Sequence, residues 1–343
     1  MKSIVFMKPG DVKIVERPMP EPKTGEALLR LLRGGICGSD IGTYRGTFAY
    51  AAYPRVPGHE FSAVIEKING DGSRYGLKEG MVVTCNPYFT CGHCYSCRRG
   101  LFNCCQNNET LGSQRDGAFS EYITMPLSHI LDGKGLDPAE LAVIEPFCIG
   151  YHGAIRRGQI GENDRVIVIG AGSIGTMAAI AAKNAGARVY VADVSQKKID
   201  YAVQNFGFEG GIYVGGGNFK EQCLSMTEGN GFDVSVEAVG VPSSFQNAID
   251  AAAYGGKVIV IGIGRKNLDF NYTLLQKKEL NVFGSRNALT EDFEHLIDLV
   301  KSGAVDIKKV ITNTYSFDEA PRAFSEFAAH SADMLKVEID FTA

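Results

Sequence analysis

The stretch Cys37-Gly-Ser-Asp-Ile-Gly-Thr-Tyr44 places a thiol, a hydroxyl and a carboxylate within four residues and follows them with a glycine at position 42. A thiolate beside a serine and an aspartate has the makings of metal chemistry with an exit for a proton. A second set, Cys91, Cys94, Cys97 and Cys105, has C-x2-C-x2-C-x7-C spacing and can close four thiolates around one ion. Tetrahedral zinc with sulfur at every position is structural, because no position is left for substrate. Four cysteines also suit an iron–sulfur cluster, but no Cys-Pro and no second cluster motif follows, which favours zinc. Cys104, next to Cys105, is a rival for the fourth position. His93 sits between ligands and is expected to face solvent, and Cys85, Cys148 and Cys223 are expected to be small buried side chains. A catalytic zinc needs three protein ligands and an open position, and the donors left for it are Cys37, His59, Glu60 and Glu145. His59 and Glu60 are neighbours in PRVPGHEFSAVIE, a turn entering a strand. Adjacent strand side chains point to opposite faces, so the two are not expected to lie equally near one ion.

A third set is Gly170-Ala-Gly172-Ser173-Ile174-Gly175, a GxGxxG between an apolar strand and a helical pattern. The first glycine makes the tight turn, the second lets the backbone approach a pyrophosphate, and the third packs helix against strand. The helix N-terminus adds N–H donors and a positive dipole end. A glycine-rich turn alone is a weak signal, but here an acidic residue, Asp193, closes the next strand about 20 positions on, as the pattern requires. Asp193 can accept from ribose hydroxyls and would repel a 2′-phosphate, which favours NAD over NADP. The competing reading makes Asp193 only a cap for the following helix. Lys197 and Lys198 weaken the NAD preference slightly, with Lys197 read as part of a solvated helix face.

The elements around these residues fall into two halves. Up to about residue 150, short strands such as EALLRLLRGG, EFSAVIEKING and GMVVTCNPY alternate with glycine, proline and asparagine turns, a β-rich pattern. From about residue 155, apolar runs (DRVIVIGAG, RVYVADV, FDVSVEAVG, KVIVIGIG) alternate with helical segments (SIGTMAAIAAKNAG, SQKKIDYAVQNFG, PSSFQNAIDAAAYGG). Continuous Val/Ile runs between amphipathic helices predict a doubly wound parallel sheet, so the fold class is α/β. A helix over TEDFEHLIDLVKSG and a closing strand over MLKVEIDF end the chain.

The 343 residues are 45% hydrophobic and 22% charged, with a formal net charge of -4 and no run of five like charges. That balance predicts two domains with real cores and gives no electrostatic footprint for nucleic acid or an anionic membrane. The first residues hold only a four-residue apolar run, and no stretch reaches the roughly 18 apolar residues of a membrane span. A cytoplasmic location is expected, where clustered cysteines bind metal more often than they pair, and nine is an odd count for disulfides.

Taken together and in order, GGICGSD, PRVPGHEFSAVIE, the four-cysteine lobe, LGSQRDGAFSEYI, VIEPFCIGYHG, VIVIGAGSIG and FGSRN resemble the zinc-containing medium-chain dehydrogenase/reductase family over nearly the whole chain. IEPF carries Glu145 where the ethanol dehydrogenases have cysteine, so the likeness is to the sorbitol, threonine and sugar-acid branch, nearest the galactonate-type and galactitol-phosphate oxidoreductases. The resemblance implies a GroES-like catalytic domain over 1–153 with a zinc lobe at about 85–110, a Rossmann domain over 154–288, and a segment 289–343 that returns to the catalytic domain.

It further implies that Cys37 and His59 hold the catalytic zinc, with Glu60 and Glu145 alternating as third ligand or reaching it through water. Asp40 would orient His59, and Ser39 would take the substrate proton. NAD would meet Gly170, Gly172, Ser173, Ile174, Gly175, Asp193, Lys198, Val239, Ile261, Ser285 and Arg286. Tyr44, Arg115 and Asn287 would lie around the substrate, Arg115 and Arg286 suiting an anionic or polyhydroxylated one; the competing reading of Arg115 is a surface or interface arginine. Two zinc ions per chain are implied, and a homodimer or homotetramer, with ELNVFGS pairing across subunits. The chain departs from many relatives at Gly42 and Gln114, where they carry histidine. The expected reaction is hydride transfer from a secondary alcohol of a polyol or sugar acid to NAD. L-Threonine 3-dehydrogenation and galactitol or sorbitol (phosphate) oxidation are the enzymatic alternatives, and a nucleotide-binding regulatory relative is the non-enzymatic one.

Overall fold

The apolar runs of the second half do lie side by side. In the computed structural model, which describes residues 1–343, six strands form one parallel sheet. Its order is Gly210–Tyr213, Arg188–Asp193, Arg165–Ile169, Phe232–Glu237, Ala252–Val260 and Asn281–Gly284. The central strand sets Val166 opposite Val189 on one side and Val234 on the other. Val166, Ile167, Val168 and Ile169 are all buried, as they must be when helices cover both faces of a sheet. The alanine-rich helix Ser173–Asn184 buries eight of its residues, because small side chains let it pack closely. Asn281–Gly284, the end of the expected ELNVFGS strand, is the edge of this sheet.

The β-rich half folds around a seven-stranded sheet that runs Ile311–Ser316, Lys336–Asp340, Glu26–Ile36, Glu60–Asn69, Val82–Cys85 and Ile130–Asp132, with Tyr122–Pro126 also paired to Glu26–Ile36. Its pairings are antiparallel except that of Ile311–Ser316 with Lys336–Asp340. The closing strand over MLKVEIDF thus lies directly on the strand that leads to Cys37, setting Val337 opposite Ile36. Two elements absent from the sequence reading, the strand Ile311–Ser316 and the helix Ala320–Ala329, complete this end. Phe324 of that helix meets Phe6 edge-on at 4.9 Å.

Contacts group Met1–Glu145 with Leu289–Ala343 as one unit and Pro146–Ala288 as the other. The first boundary therefore falls at Glu145/Pro146 and not at 153/154. The reason is that Gly150 lies so close to the backbone of Met177 and Ala178 that a Cβ there would overlap it, which ties this stretch to the second unit.

Candidate active site

Cys37 ends the strand Glu26–Ile36 and begins the short helix Gly38–Tyr44. Asp40, buried in that helix, accepts from the Cys37 backbone N–H at 3.0 Å and from the Gly58 N–H at 3.4 Å. It therefore fastens the two segments that carry Cys37 and His59. No hydrogen bond joins it to the imidazole, since His59 Nδ1 is buried without a partner. Each Asp40 oxygen accepts one backbone amide, so Asp40 reaches the His59 segment through the Gly58 N–H.

His59 and Glu60 converge. Donor atoms of Cys37, His59 and Glu60 all lie within 4.8 Å of one another, against the expectation that neighbours in a strand must diverge. The strand begins only at Glu60, and Gly58 just before His59 has φ +98°, so His59 escapes the strand's alternation. Opposite Glu60 in the sheet stands Gly35, where any Cβ would overlap the Glu60 carboxylate.

Two partners of the carboxylates were not legible in the sequence. Lys336 Nζ donates to Glu60 Oε1 at 2.8 Å and Oε2 at 2.6 Å, and to the Ile36 carbonyl at 3.3 Å, with both charged side chains buried. Burial works against the Lys336 charge, but Glu60 and Cys37 outweigh it and hold its pKa above the ordinary value. The Tyr88 hydroxyl donates to Glu145 Oε1. Glu145, at the start of the helix Ile144–Tyr151, is pushed up to about 7 by burial. A signal for Lys336 did exist: a lysine flanked by Leu335 and Val337 in the closing strand has to find an acid if that strand is buried.

This donor set fits a divalent cation. A half-buried thiol converges with a buried imidazole and a buried carboxylate, and negative neighbours crowd the imidazole: burial lowers the His59 pKa, but Cys37, Asp40 and Glu145 raise it well above its ordinary value. An excess of buried negative charge is what a bound dication offsets. Ser39 is half-buried one residue before Asp40, and its carbonyl accepts from Thr43 Oγ1 at 3.0 Å.

Tyr44 packs into the core, 6.3 Å from Phe6 and 6.4 Å from Phe324 between ring centres. Its ring is set against these two aromatics, with the residue half-buried. Arg115 lies 3.8 Å over the Phe89 ring and 3.7 Å from Glu109, so its charge already has partners. Gln114 accepts from the Thr110 N–H at 2.9 Å. Gly42 takes part in a turn: its carbonyl accepts from Thr47 and Phe48, and a Cβ at 42 would stand 3.3 Å from Phe48 Cβ.

The four-cysteine lobe gathers Cys91, Cys94, Cys97 and Cys105, with all four sulfurs within 4.8 Å of one another. Cys104 is exposed and outside the group, and all nine cysteines are free. Backbone N–H groups of Cys91 and Cys97 point at the sulfurs of Cys105 and Cys94, at 3.3 and 3.5 Å. Hydrogen bonds led by that from the His93 backbone lower the Cys91 thiol to about 6. Such a thiolate cluster fits a tetrahedral soft ion. His93 is exposed, as expected, and Cys85, Cys148 and Cys223 are buried.

In the parallel-sheet unit, Gly170 has φ +102°, and a Cβ on Gly175 would overlap the Gly170 carbonyl oxygen. Gly172 caps the helix that begins at Ser173 and Ile174, so the loop meets the requirements of a pyrophosphate cradle. Asp193 accepts from the Ala171 N–H at 2.7 Å and the Ser195 N–H at 2.8 Å. The helix after it is capped by Ser195, whose Oγ accepts from the Lys198 N–H at 3.4 Å, so capping is not the task of Asp193. Val239 is exposed and stands over Gly170, whereas Ile261 is buried against Gly153. Ser285 Oγ and Asn287 Nδ2 are buried with no partner, and Arg286 between them is exposed. Unpaired buried polar atoms of this kind are costly unless a ligand meets them.

Comparison with known proteins agrees with both units. Residues 23–134 match the alcohol dehydrogenase GroES-like domain, and residues 173–302 match the zinc-binding dehydrogenase family. L-Galactonate-5-dehydrogenase of Escherichia coli strain K12 is 32% identical over 342 residues, 99% of each chain. Among solved structures, a short chain alcohol dehydrogenase from E. coli CFT073 in complex with NADH superposes with a TM-score of 0.90 at 31% identity, covering 99% of both chains. Galactitol-1-phosphate dehydrogenase from Escherichia coli gives 0.91 at 28% identity, covering 99% of this chain and 100% of that one. No helix here is long and apolar enough to cross a membrane. Matching domains in this order, with relatives aligned along almost the entire length, mean that the chain belongs to the zinc-type alcohol dehydrogenase family of oxidoreductases.

Proposed function

We propose that the protein oxidises a secondary alcohol of a sugar acid or polyol, of the galactonate or idonate type, to a ketone with NAD as acceptor. The observation that carries this is the convergence of half-buried Cys37 with buried His59 and Glu60, with Glu145 beside them. Three mixed donors suit a metal that works on an oxygen, whereas a closed set of four thiols suits a structural one. Zinc supplies positive charge that eases loss of a hydroxyl proton, and NAD supplies the hydride acceptor.

The chain's own residues then have the following tasks. Cys37, His59 and Glu60 hold the ion, and Lys336 and Gly35 fix the Glu60 carboxylate. Ser39 receives the substrate proton. Asp193 and the Gly170–Gly175 loop hold the dinucleotide, with Asp193 favouring NAD because a 2′-phosphate beside it would meet like charge. Asn287 and Ser285 offer unpaired polar atoms to cofactor or substrate, and Arg286 offers a charge to an acidic one. Arg115, exposed beside Phe89 and Glu109, is a further charge for an acidic substrate. Cys91, Cys94, Cys97 and Cys105 hold a second, structural zinc. Pairing of two copies along the edge strand Asn281–Gly284 would give the expected homodimer.

The test is a panel of L-galactonate, L-idonate, sorbitol, galactitol, galactitol 1-phosphate and L-threonine, each with NAD and with NADP. Reduction of NAD by a sugar acid or polyol, at the highest kcat/KM of the panel, is the expected result. Turnover confined to threonine, or none with any polyol or aldonate, overturns the substrate class.

A further inference from the structure

Glu237 is a buried carboxylate satisfied by neutral donors. It ends the strand Phe232–Glu237, directly opposite Ile169, the residue before Gly170. The sheet is built outward from Arg165–Ile169 through Arg188–Asp193 to Gly210–Tyr213, and the chain then returns to the other side of Arg165–Ile169 with Phe232–Glu237. Ligands of doubly wound sheets lie beyond the carboxyl ends of the strands where the order reverses in this way, so Glu237 stands at the switch point.

Its side chain is committed to the turn that follows. Oε1 accepts from the Val239 N–H at 2.8 Å, the Gly240 N–H at 2.7 Å and the Ser244 hydroxyl at 2.6 Å. The Glu237 carbonyl accepts from the N–H groups of Ile261 at 2.8 Å and Gly262 at 3.0 Å, the first residues beyond the strand Ala252–Val260. One residue therefore holds two loops at this end of the sheet. The loops are pressed together backbone to backbone: a Cβ on Gly240 would overlap the Ile263 main chain, one on Gly262 the Gly240 nitrogen and the Glu237 carboxylate, and one on Gly264 the Gly240 carbonyl oxygen. The same turn lays Ala238 and Val239 over Gly170, where a Cβ would strike Val239. The helix Pro242–Ala251 has its own closure, since Ser244 Oγ accepts from the Val241 N–H at 3.2 Å. Burying a carboxylate merely to fill space is costly, and an apolar side chain would do it without that cost.

We propose that Glu237 is a positioning residue for the dinucleotide: it shapes the turn 238–241 into a roof over Gly170, so that the glycine loop and the exposed side chains of Val239, Val241 and Ile263 meet the cofactor in one preset arrangement. A loop already held in its bound conformation has less freedom to lose on binding, and affinity gains accordingly. Glu237 acts on the cofactor only through these backbone groups. The inference rests on the reading of the GxGxxG loop as the dinucleotide site.

The experiment titrates full-length wild type, Glu237→Leu and Glu237→Gln with NADH, following its fluorescence, and records the ligand-free Tm of each. Glu237→Leu removes the acceptor and strands its three donors, and should raise the NADH Kd by about 10–100-fold. Glu237→Gln keeps an acceptor oxygen and should stay within about 3-fold of wild type. With the best alcohol of the panel above, the loss in Glu237→Leu should fall on KM for NAD and leave KM for the alcohol unchanged, a split that general destabilisation does not produce. A wild type that binds no NADH sinks the dinucleotide reading itself. A wild type that binds NADH, beside a folded Glu237→Leu of equal affinity, sinks the role of Glu237 alone, whatever the Tm. Should Glu237→Leu not fold, Ser244→Ala decides, because it removes one of the three donors and leaves the carboxylate in place: NADH binding weaker by about 3-fold or more supports the proposal, and unchanged affinity overturns it.

Discussion

At the scale of single residues, Gly42 is the point where this chain differs most plainly from the pattern it resembles. The helix Gly38–Tyr44 brings Asp40 to two backbone amides and leaves position 42 pressed against Phe48. Without an imidazole there, the pH profile of kcat is expected to lack an inflection at about pH 6.5, and Gly42→His should introduce one. Phe48 must yield a few tenths of an ångström to admit the new side chain, so circular dichroism should accompany the kinetics; an unchanged profile in a folded variant counts against this reading. Lys336 has a sharper energetic signature. Removing one member of a buried ion pair strands the other, so Lys336→Met should cost about 3–5 kcal/mol in urea denaturation. Glu338, two residues on, is buried with Oε1 unpaired. Burial raises its pKa from 4.5 to about 8; Arg33 and Lys336 pull it down, while Glu60 and Asp137 push it up. Unfolded chains release this proton near 4.5, folded ones near 8, so between those values the folded state holds a proton the unfolded state has lost. Stability from this group therefore falls as pH rises through that window. Glu338→Gln should flatten the slope and raise Tm relative to wild type at about pH 9 more than at about pH 5.

At the scale of elements, the GxGxxG loop was legible from its glycines because two of them, Gly170 with its positive φ and Gly175 against the Gly170 carbonyl, have steric duties that a side chain would obstruct. Gly175→Ala would drive a methyl group into the Gly170 carbonyl, and a cost of about 1–3 kcal/mol is expected from overpacking, together with weakened NADH binding measured by fluorescence titration. Wild-type affinity in that variant would mean the loop does not hold the cofactor. The four-cysteine lobe was legible for a similar reason, since its spacing alone brings the thiols within reach of one ion. What escaped the pattern was pairing between distant elements. The strand Ile311–Ser316 and the helix Ala320–Ala329 have ordinary compositions, and their place follows from docking on Lys336–Asp340 and Phe6. The divergence expected of His59 and Glu60 failed because one positive-φ glycine shifted where the strand begins.

At the scale of the whole molecule, the two units should respond to different ligands. Ligand at about 100 times its Kd stabilises the folded state by about 2.7 kcal/mol. NADH is therefore expected to slow amide hydrogen exchange chiefly in Arg165–Ile169 and Arg188–Asp193, and chelation of zinc to speed it chiefly around Cys91–Cys105. Uniform changes over both units would contradict the assignment of the two sites. The parallel sheet, the glycine turn and the thiol cluster were legible along the chain, because each is encoded in local spacing: period, glycine position, cysteine interval. What each side chain touches follows from the folded chain alone. Lys336 reaches Glu60 across 276 positions of sequence and Tyr88 reaches Glu145 across 57, and Arg115 and Tyr44 are taken up by aromatic neighbours. A side chain's partner depends on strand register and packing between elements, and no spacing along the chain specifies those.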